Sequence, residues 1–158
     1  MTKKRIAVIG VGNLLLGDEG VGIHAVQYLS GLDLGDEVDI IDAAVPGPSI
    51  IYMLEGRELS IIIDCADFGG RPGEIILADS KRLALGEFKG FSLHGISLDG
   101  VLALAKELQI DVGHVLILGV QPDRIEVGIG LSESVADAIP RVVDLVKSEV
   151  TKALGKAV

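Results

Sequence analysis

Three acidic side chains follow the first three predicted strands of this sequence, and they carry its clearest chemistry. Glu19 follows the first strand across a glycine-rich turn, whereas Asp42 and Asp64 directly follow the second and third strands. Ligands of open α/β sheets bind outside the carboxyl ends of the strands, so the three acids are expected at one edge. Because converging carboxylates repel unless they share a cation or a proton, the pattern predicts a cation-binding or proton-sharing site.

One of the three histidines, His94, is a candidate to join these acids. It lies in an irregular, glycine-flanked segment, whereas His24 falls within the first predicted helix and His114 precedes a strand, at the opposite sheet edge. Imidazole and carboxylate groups suit nickel or zinc. Glu19, Asp64 and His94 are therefore the predicted metal ligands, and the absence of a thiolate from this set predicts modest affinity.

The remaining reactive groups have less certain roles. Asp42 is either a structural cap or an acid that supports the site, and Asp42 or Asp64 could serve as a general base. Asp18 is interpreted as an acid at the start of the first helix. Cys65 lacks an evident histidine base nearby, so apolar packing explains it better than nucleophilic catalysis does.

Alternating strands and helices must position these side chains. Apolar runs predict buried strands at residues 6–9, 38–41, 59–63 and 115–120, with a short edge strand at 74–78. Helices are predicted at residues 20–29, 47–55, 97–108 and 134–154, the last with a kink or a new start at Pro140. The order predicts a three-layer α/β fold, in which helices cover both faces of a mostly parallel, twisted sheet of about five strands. A single domain spanning residues 1–158 is expected.

Composition argues against several classes of function. The net charge is −9, aromatic residues make up 3% of the chain and tryptophan is absent, so no nucleic-acid-binding surface is expected. No uninterrupted apolar stretch is long enough to predict membrane insertion. A single cysteine excludes an internal disulfide and fits a reducing, cytoplasmic location.

A nucleotide-binding α/β module is one alternative, because Gly10 and Gly12 follow the first strand. Three features oppose it. Leu15 occupies the position of the third glycine, the loop before the helix is long, and the acids Asp18 and Glu19 would repel a pyrophosphate at the helix terminus.

Five blocks of sequence together resemble the nickel–iron hydrogenase maturation endopeptidases over nearly the whole chain. They are GVGNLLLGDEGVG (10–22), IIDAAVPG (40–47), IIIDCADFGGRPGEI (61–75), SLHGISL (92–98) and LILGVQPDRIEVGIGLSESV (116–135). The first block is the most specific, because a Gly-x-Gly-Asn followed by an acid pair and a glycine is unusual.

The resemblance implies an enzyme that removes a C-terminal extension from the precursor of a hydrogenase large subunit after nickel insertion. The metal-contacting residues of the family match Glu19, Asp64 and His94, and its acid after the second strand matches Asp42. Nickel would then be carried by the substrate, and the enzyme would act as a cytoplasmic monomer. Metal-assisted and aspartic-type hydrolysis both stay open, as does a protein that docks the precursor without cutting it.

Overall fold

The sheet of this protein is mostly parallel and five-stranded, as the sequence predicts. A computed structural model describes residues 3–81, 92–93 and 96–155. The strands are β1 (Ile6–Val11), β2 (Val38–Ala44), β3 (Leu59–Cys65), β4 (Ile75–Asp79), β5 (Ser92–Leu93), β6 (Ile96–Ser97) and β7 (His114–Val120). The sheet order is β2-β1-β3-β7-β4, with only β4 antiparallel to its neighbour, while β5 and β6 form a separate antiparallel pair.

Helices cover both faces of the sheet and enclose two apolar clusters. The helices are α1 (Val21–Ser30), α2 (Ile50–Leu54), α3 (Leu98–Glu107), α4 (Glu133–Ala136) and α5 (Ile139–Ala153). Residues of α1, α4 and α5 pack on one face of the sheet, and residues of α2 and α3 pack on the other. The strands β1, β3 and β7 are buried on both sides, which explains their uninterrupted apolar runs, whereas β2 at the edge of the sheet is only partly covered. None of the helices that the structure describes is long and apolar enough to cross a bilayer.

Two boundaries differ from the prediction in ways that matter for the site. The second and third strands run further than expected, so that Asp42 and Asp64 lie within β2 and β3 instead of after them. The last predicted helix is divided, because Pro140 lies in the first turn of α5 and marks a new start. Proline lacks an amide hydrogen and is tolerated only in a first helical turn, which explains the break after α4.

Two glycines bring α1 directly onto the sheet. A Cβ atom on Gly22 would lie 2.2 Å from the carbonyl oxygen of Ile63 and 2.4 Å from that of Val11. A Cβ atom on Gly10 would lie 2.4 Å from the carbonyl oxygen of Gly22. Only hydrogen atoms fit in this space, and the close approach holds the turn before α1 against the end of β3.

Gly22→Ala is expected to destabilise the protein by about 3 kcal/mol, because the added methyl group overlaps two backbone carbonyls that cannot move independently. Chemical denaturation measures this change. Gly31→Ala at the end of the same helix is the control, since its Cβ would meet nothing closer than 3.5 Å. The control should alter stability by no more than about 1 kcal/mol. Equal stability of the two variants would contradict the proposed packing.

Candidate active site

Asp64 lies at the carboxyl edge of the sheet and is fully buried. Its Oδ1 accepts a hydrogen bond from the backbone N–H of Cys65 at 2.7 Å. Ile63 packs in the cluster beneath α1 and α5, whereas Ile62 packs in the cluster beneath α2 and α3. Since side chains alternate along a strand, Asp64 faces the same side of the sheet as α2 and α3.

Glu19 belongs to a single 3₁₀ turn, Gly17–Gly20, that leads into α1. The backbone carbonyl of Glu19 accepts a hydrogen bond from Asn13 N–H at 3.2 Å. It also lies 2.1 Å from where a Cβ on Gly12 would be, so the glycine-rich turn of the first block is what admits this close approach. The half-buried Glu19 is thereby held at the carboxyl edge of the sheet.

The thiol of Cys65 lies near both of these carboxylates. Burial raises the pKa of Cys65 to about 12, and the negative charges of Asp64 and then Glu19 add to the effect, followed by Asp18 and Asp67. Charges act on a buried thiol mainly at short range. Glu19 and Asp64 therefore both lie near Cys65, at the carboxyl edge of the sheet.

Cys65→Ala is expected to retain the activity of the site within about twofold, because a neutral thiol is a poor nucleophile. A pKa of about 12 further predicts that Cys65 reacts with iodoacetamide at pH 8 on the order of 10³-fold more slowly than free cysteine. Alkylation rates measured by mass spectrometry check this expectation. Loss of activity in the alanine variant, or rapid alkylation of the native protein, would restore a role for the thiolate.

Asp18 is a buried anchor for a distant loop, a role that sequence reasoning missed. Its carboxylate accepts hydrogen bonds from the backbone N–H groups of Asp123, Arg124 and Ser132 at 2.7–2.9 Å, and from Ser132 Oγ at 2.8 Å. Burial alone would raise the pKa of Asp18, but these donors hold it below its usual value. The carboxylate of Asp18 thus fixes the loop after β7 by accepting hydrogen bonds from it.

Gln121 performs a similar task on the loop that follows Asp64. Its side-chain oxygen accepts hydrogen bonds from the N–H groups of Phe68 and Gly70 at 2.9 and 3.1 Å, and its amide nitrogen donates to Asp67 at 3.0 Å. The loop after β3 is therefore tied to the end of β7. Nothing in the sequence pattern around Gln121 signals this contact, because its partners lie more than 50 residues away.

Asp42 lies apart from Asp64. It is exposed, its Oδ1 accepts a hydrogen bond from Ala44 N–H at 3.0 Å, and it pairs across the sheet with Gly10. Because β1 separates β2 from β3, the backbones of the two aspartates are roughly 10 Å apart. Asp42 lines an open cleft of about 440 Å³, together with Gly12, Asn13, Leu14, Ile23, Ala44 and Val45.

The three histidines differ in their positions relative to the candidate site. His114 begins β7 at the opposite edge of the sheet, as predicted, with its Nε2 2.6 Å from Asp79 Oδ2. His24 lies half-buried on α1. His94, the third predicted metal ligand, lies outside the described residues, and within the described ranges no group of three potential ligands is placed to hold a metal ion.

The fold and site define an α/β protein with a carboxylate-rich site at the carboxyl edge of a parallel sheet. Comparisons with known proteins identify the family within this class. The family model described as HycI, hydrogenase maturation protease, matches residues 23–149. The hydrogenase 3 maturation protease of Escherichia coli is 30% identical over 133 residues, which are 84% of this chain and 82% of that protein.

Solved structures agree with this match. The hydrogenase maturating endopeptidase HybD from E. coli superposes with a TM-score of 0.84 at 27% identity, covering 94% of this chain and 93% of that one. A hydrogenase 2 maturation peptidase from a Thaumarchaeota archaeon is 34% identical, with a TM-score of 0.71 and coverage of 98% and 100%. The chain belongs to the hydrogenase maturation protease family. It is therefore a peptidase, and the hypothesis of a nucleotide-binding α/β module is abandoned.

Proposed function

We propose that this peptidase removes the C-terminal extension of a nickel–iron hydrogenase large-subunit precursor after nickel has been inserted into that precursor. The observation that carries the proposal is the family match over residues 23–149, and it is supported by the positions of Glu19 and Asp64 at the carboxyl edge of the sheet, near Cys65. The related protein from E. coli is a hydrogenase maturating endopeptidase. We extend that activity to this chain, acting as a cytoplasmic monomer.

The residues at the site suit a metal that arrives with the substrate. Two carboxylates at the sheet edge offer oxygen ligands, and His94 would supply the imidazole that nickel favours. His94 lies four residues before Leu98, which packs on the sheet face to which Asp64 points. A set of ligands without a thiolate would bind nickel with modest affinity, so that the enzyme could recognise the metal in the precursor and still release it.

In this mechanism nickel in the precursor positions the scissile peptide and polarises its carbonyl group or a water molecule. Asp64 or Asp42 accepts a proton from the attacking water, whose oxygen bonds to the carbonyl carbon. The C–N bond then breaks, and the departing amine receives the proton. The separation of Asp42 from Asp64 supports a metal-assisted route, since a shared-proton pair needs carboxyl groups about 3 Å apart.

Mass spectrometry of a purified precursor, incubated with and without the enzyme, tests the proposal. The nickel-loaded precursor should lose its C-terminal extension, and the nickel-free precursor should keep its full mass. An intact mass for the nickel-loaded precursor, despite formation of a stable complex, would indicate a docking protein. Cleavage at equal rates with and without nickel would exclude recognition through the metal.

A further inference from the structure

A group of apolar side chains beside the candidate active site is exposed to solvent. Ile125, Val127 and Ile129 are 51%, 88% and 82% exposed, and Leu15 is 62% exposed. We call these four residues the apolar strip. The three from the loop after β7 lie within five residues of one another, and the same loop is hydrogen-bonded to Leu15 through Gly128. Contiguous apolar surface of this kind marks interaction sites on soluble proteins.

The apolar strip is held in a fixed arrangement. Gly128 N–H donates to the carbonyl of Leu15 at 2.9 Å, and Gly17 N–H donates to the carbonyl of Gly128 at 3.0 Å. The backbone N–H of Asp18 donates to the carbonyl of Arg124 at 3.1 Å, in addition to the hydrogen bonds that its carboxylate accepts. A buried acid thus orders a loop whose apolar side chains point into solvent, so the exposure is a fixed feature of the fold.

The apolar strip is continuous with the catalytic edge of the sheet. Asp18, which holds the loop, is followed directly by Glu19. On the other side of Leu15, the chain passes through Leu14 into the cleft that Asp42 lines, where Val45 is also exposed. A peptidase must bind polypeptide beyond the scissile bond, and this surface adjoins the bond's expected position.

Charge at the apolar strip favours an uncharged occupant. Arg124 and Glu126, which alternate with the apolar residues, form an ion pair at 3.2 Å and neutralise each other. The segment of residues 124–130, which carries three of the four apolar residues, therefore has no net charge, although the whole chain carries a net charge of −9. An apolar segment of a polypeptide fits such a surface better than an acidic or basic segment does.

We infer that the apolar strip docks an apolar segment of the polypeptide substrate, outside the cleaved bond. This inference rests on the proposed function for the identity of that substrate, the hydrogenase large-subunit precursor. Docking there raises the affinity for the precursor without touching the reacting atoms. Substitution of the apolar strip should therefore change KM and leave kcat almost unaltered.

The test compares two double variants with the nickel-loaded precursor. Val127→Ser with Ile129→Ser should raise KM roughly tenfold or more, because two apolar contacts are lost. Tyr52→Ser with Leu108→Ser is the matched control, since both side chains are exposed in a separate apolar groove between α2 and α3. The control should leave KM unchanged, and thermal melting should show both variants folded.

The outcomes separate this inference from the proposed function. An unchanged KM for Val127→Ser with Ile129→Ser, with normal cleavage, overturns the inference alone. Binding that depends on the apolar strip without any cleavage, measured by biolayer interferometry, supports the inference and overturns the proposed function. Failure of the native chain to bind the precursor overturns both. Concentration-dependent dimers that the double substitution abolishes, with an unchanged KM, would show that a second copy is the occupant and overturn the inference.

Discussion

Asp64→Asn is expected to lower the rate of precursor processing by roughly 10²–10⁴-fold, whether Asp64 serves as a metal ligand or as the general base. Asparagine matches the shape of aspartate, and its Oδ1 can still accept the hydrogen bond from Cys65 N–H. Thermal melting checks that the variant is folded, so that a lower rate reports on the site. Single-turnover processing followed by mass spectrometry measures the rate.

Asp33→Asn provides the matched control for that change. Asp33 is exposed, and its Oδ1 accepts a hydrogen bond from Gly35 N–H at 3.0 Å, which asparagine preserves. The control variant should process the precursor at the native rate. Glu19→Gln should behave as Asp64→Asn does, because both side chains are assigned to the same ion. Native rates in either site variant would remove that carboxylate from the chemistry.

Asp18→Ala is expected to destabilise the protein by about 3 kcal/mol or more, since four hydrogen-bond donors lose their buried acceptor. The loop that carries the apolar strip should also lose protection from amide hydrogen exchange. Urea denaturation at pH 7 measures the change in the free energy of unfolding. Asp123→Ala is the control: only its backbone N–H bonds to Asp18, so it should alter stability by no more than about 0.5 kcal/mol. Equal effects of the two variants would contradict the anchoring role.

The contribution of Asp18 should depend on pH in a defined direction. Its pKa is lowered in the folded protein, because the hydrogen bonds from the loop after β7 outweigh burial. Unfolding therefore favours proton uptake, and the stabilisation is complete above the unfolded pKa of about 3.9. It is lost as the pH falls through the folded value. The stability difference between the native chain and Asp18→Ala should be constant above about pH 5 and shrink at more acidic pH. A difference that grows on acidification would contradict this assignment.

Apolar runs made the sheet predictable, because strands buried on both faces leave a strong local signal. The assignment of Glu19 and Asp64 to one edge followed from the carboxyl-end rule for parallel sheets. The roles of Asp18 and Gln121 were not predictable, since their partners lie 51 to 114 residues away and hydrogen bonds to backbone leave no sequence pattern. Pro140 allowed either a kink or a new helix, and only packing decides between them.

The spacing of the two aspartates also escaped prediction. The sequence placed Asp42 and Asp64 at one sheet edge, but it did not give the strand order that inserts β1 between them. The side chains of the two aspartates also lie on different faces of the sheet, because residues two apart on a strand share a face. Ile40, two residues before Asp42, packs beneath α1, whereas Ile62, two residues before Asp64, packs beneath α2 and α3. Strand order depends on the whole chain, so it could not be deduced from any one motif.

A crystal structure of the protein with millimolar nickel tests the central claim most directly. The account predicts one anomalous peak at the carboxyl edge of the sheet, at about 2.0–2.2 Å from carboxylate oxygens of Glu19 and Asp64 and from an imidazole nitrogen of His94. Glu19→Gln crystals, treated identically, should show a weakened peak. An ion bound elsewhere, or a His94 imidazole beyond coordinating distance of an ion held by the two carboxylates, would contradict the account.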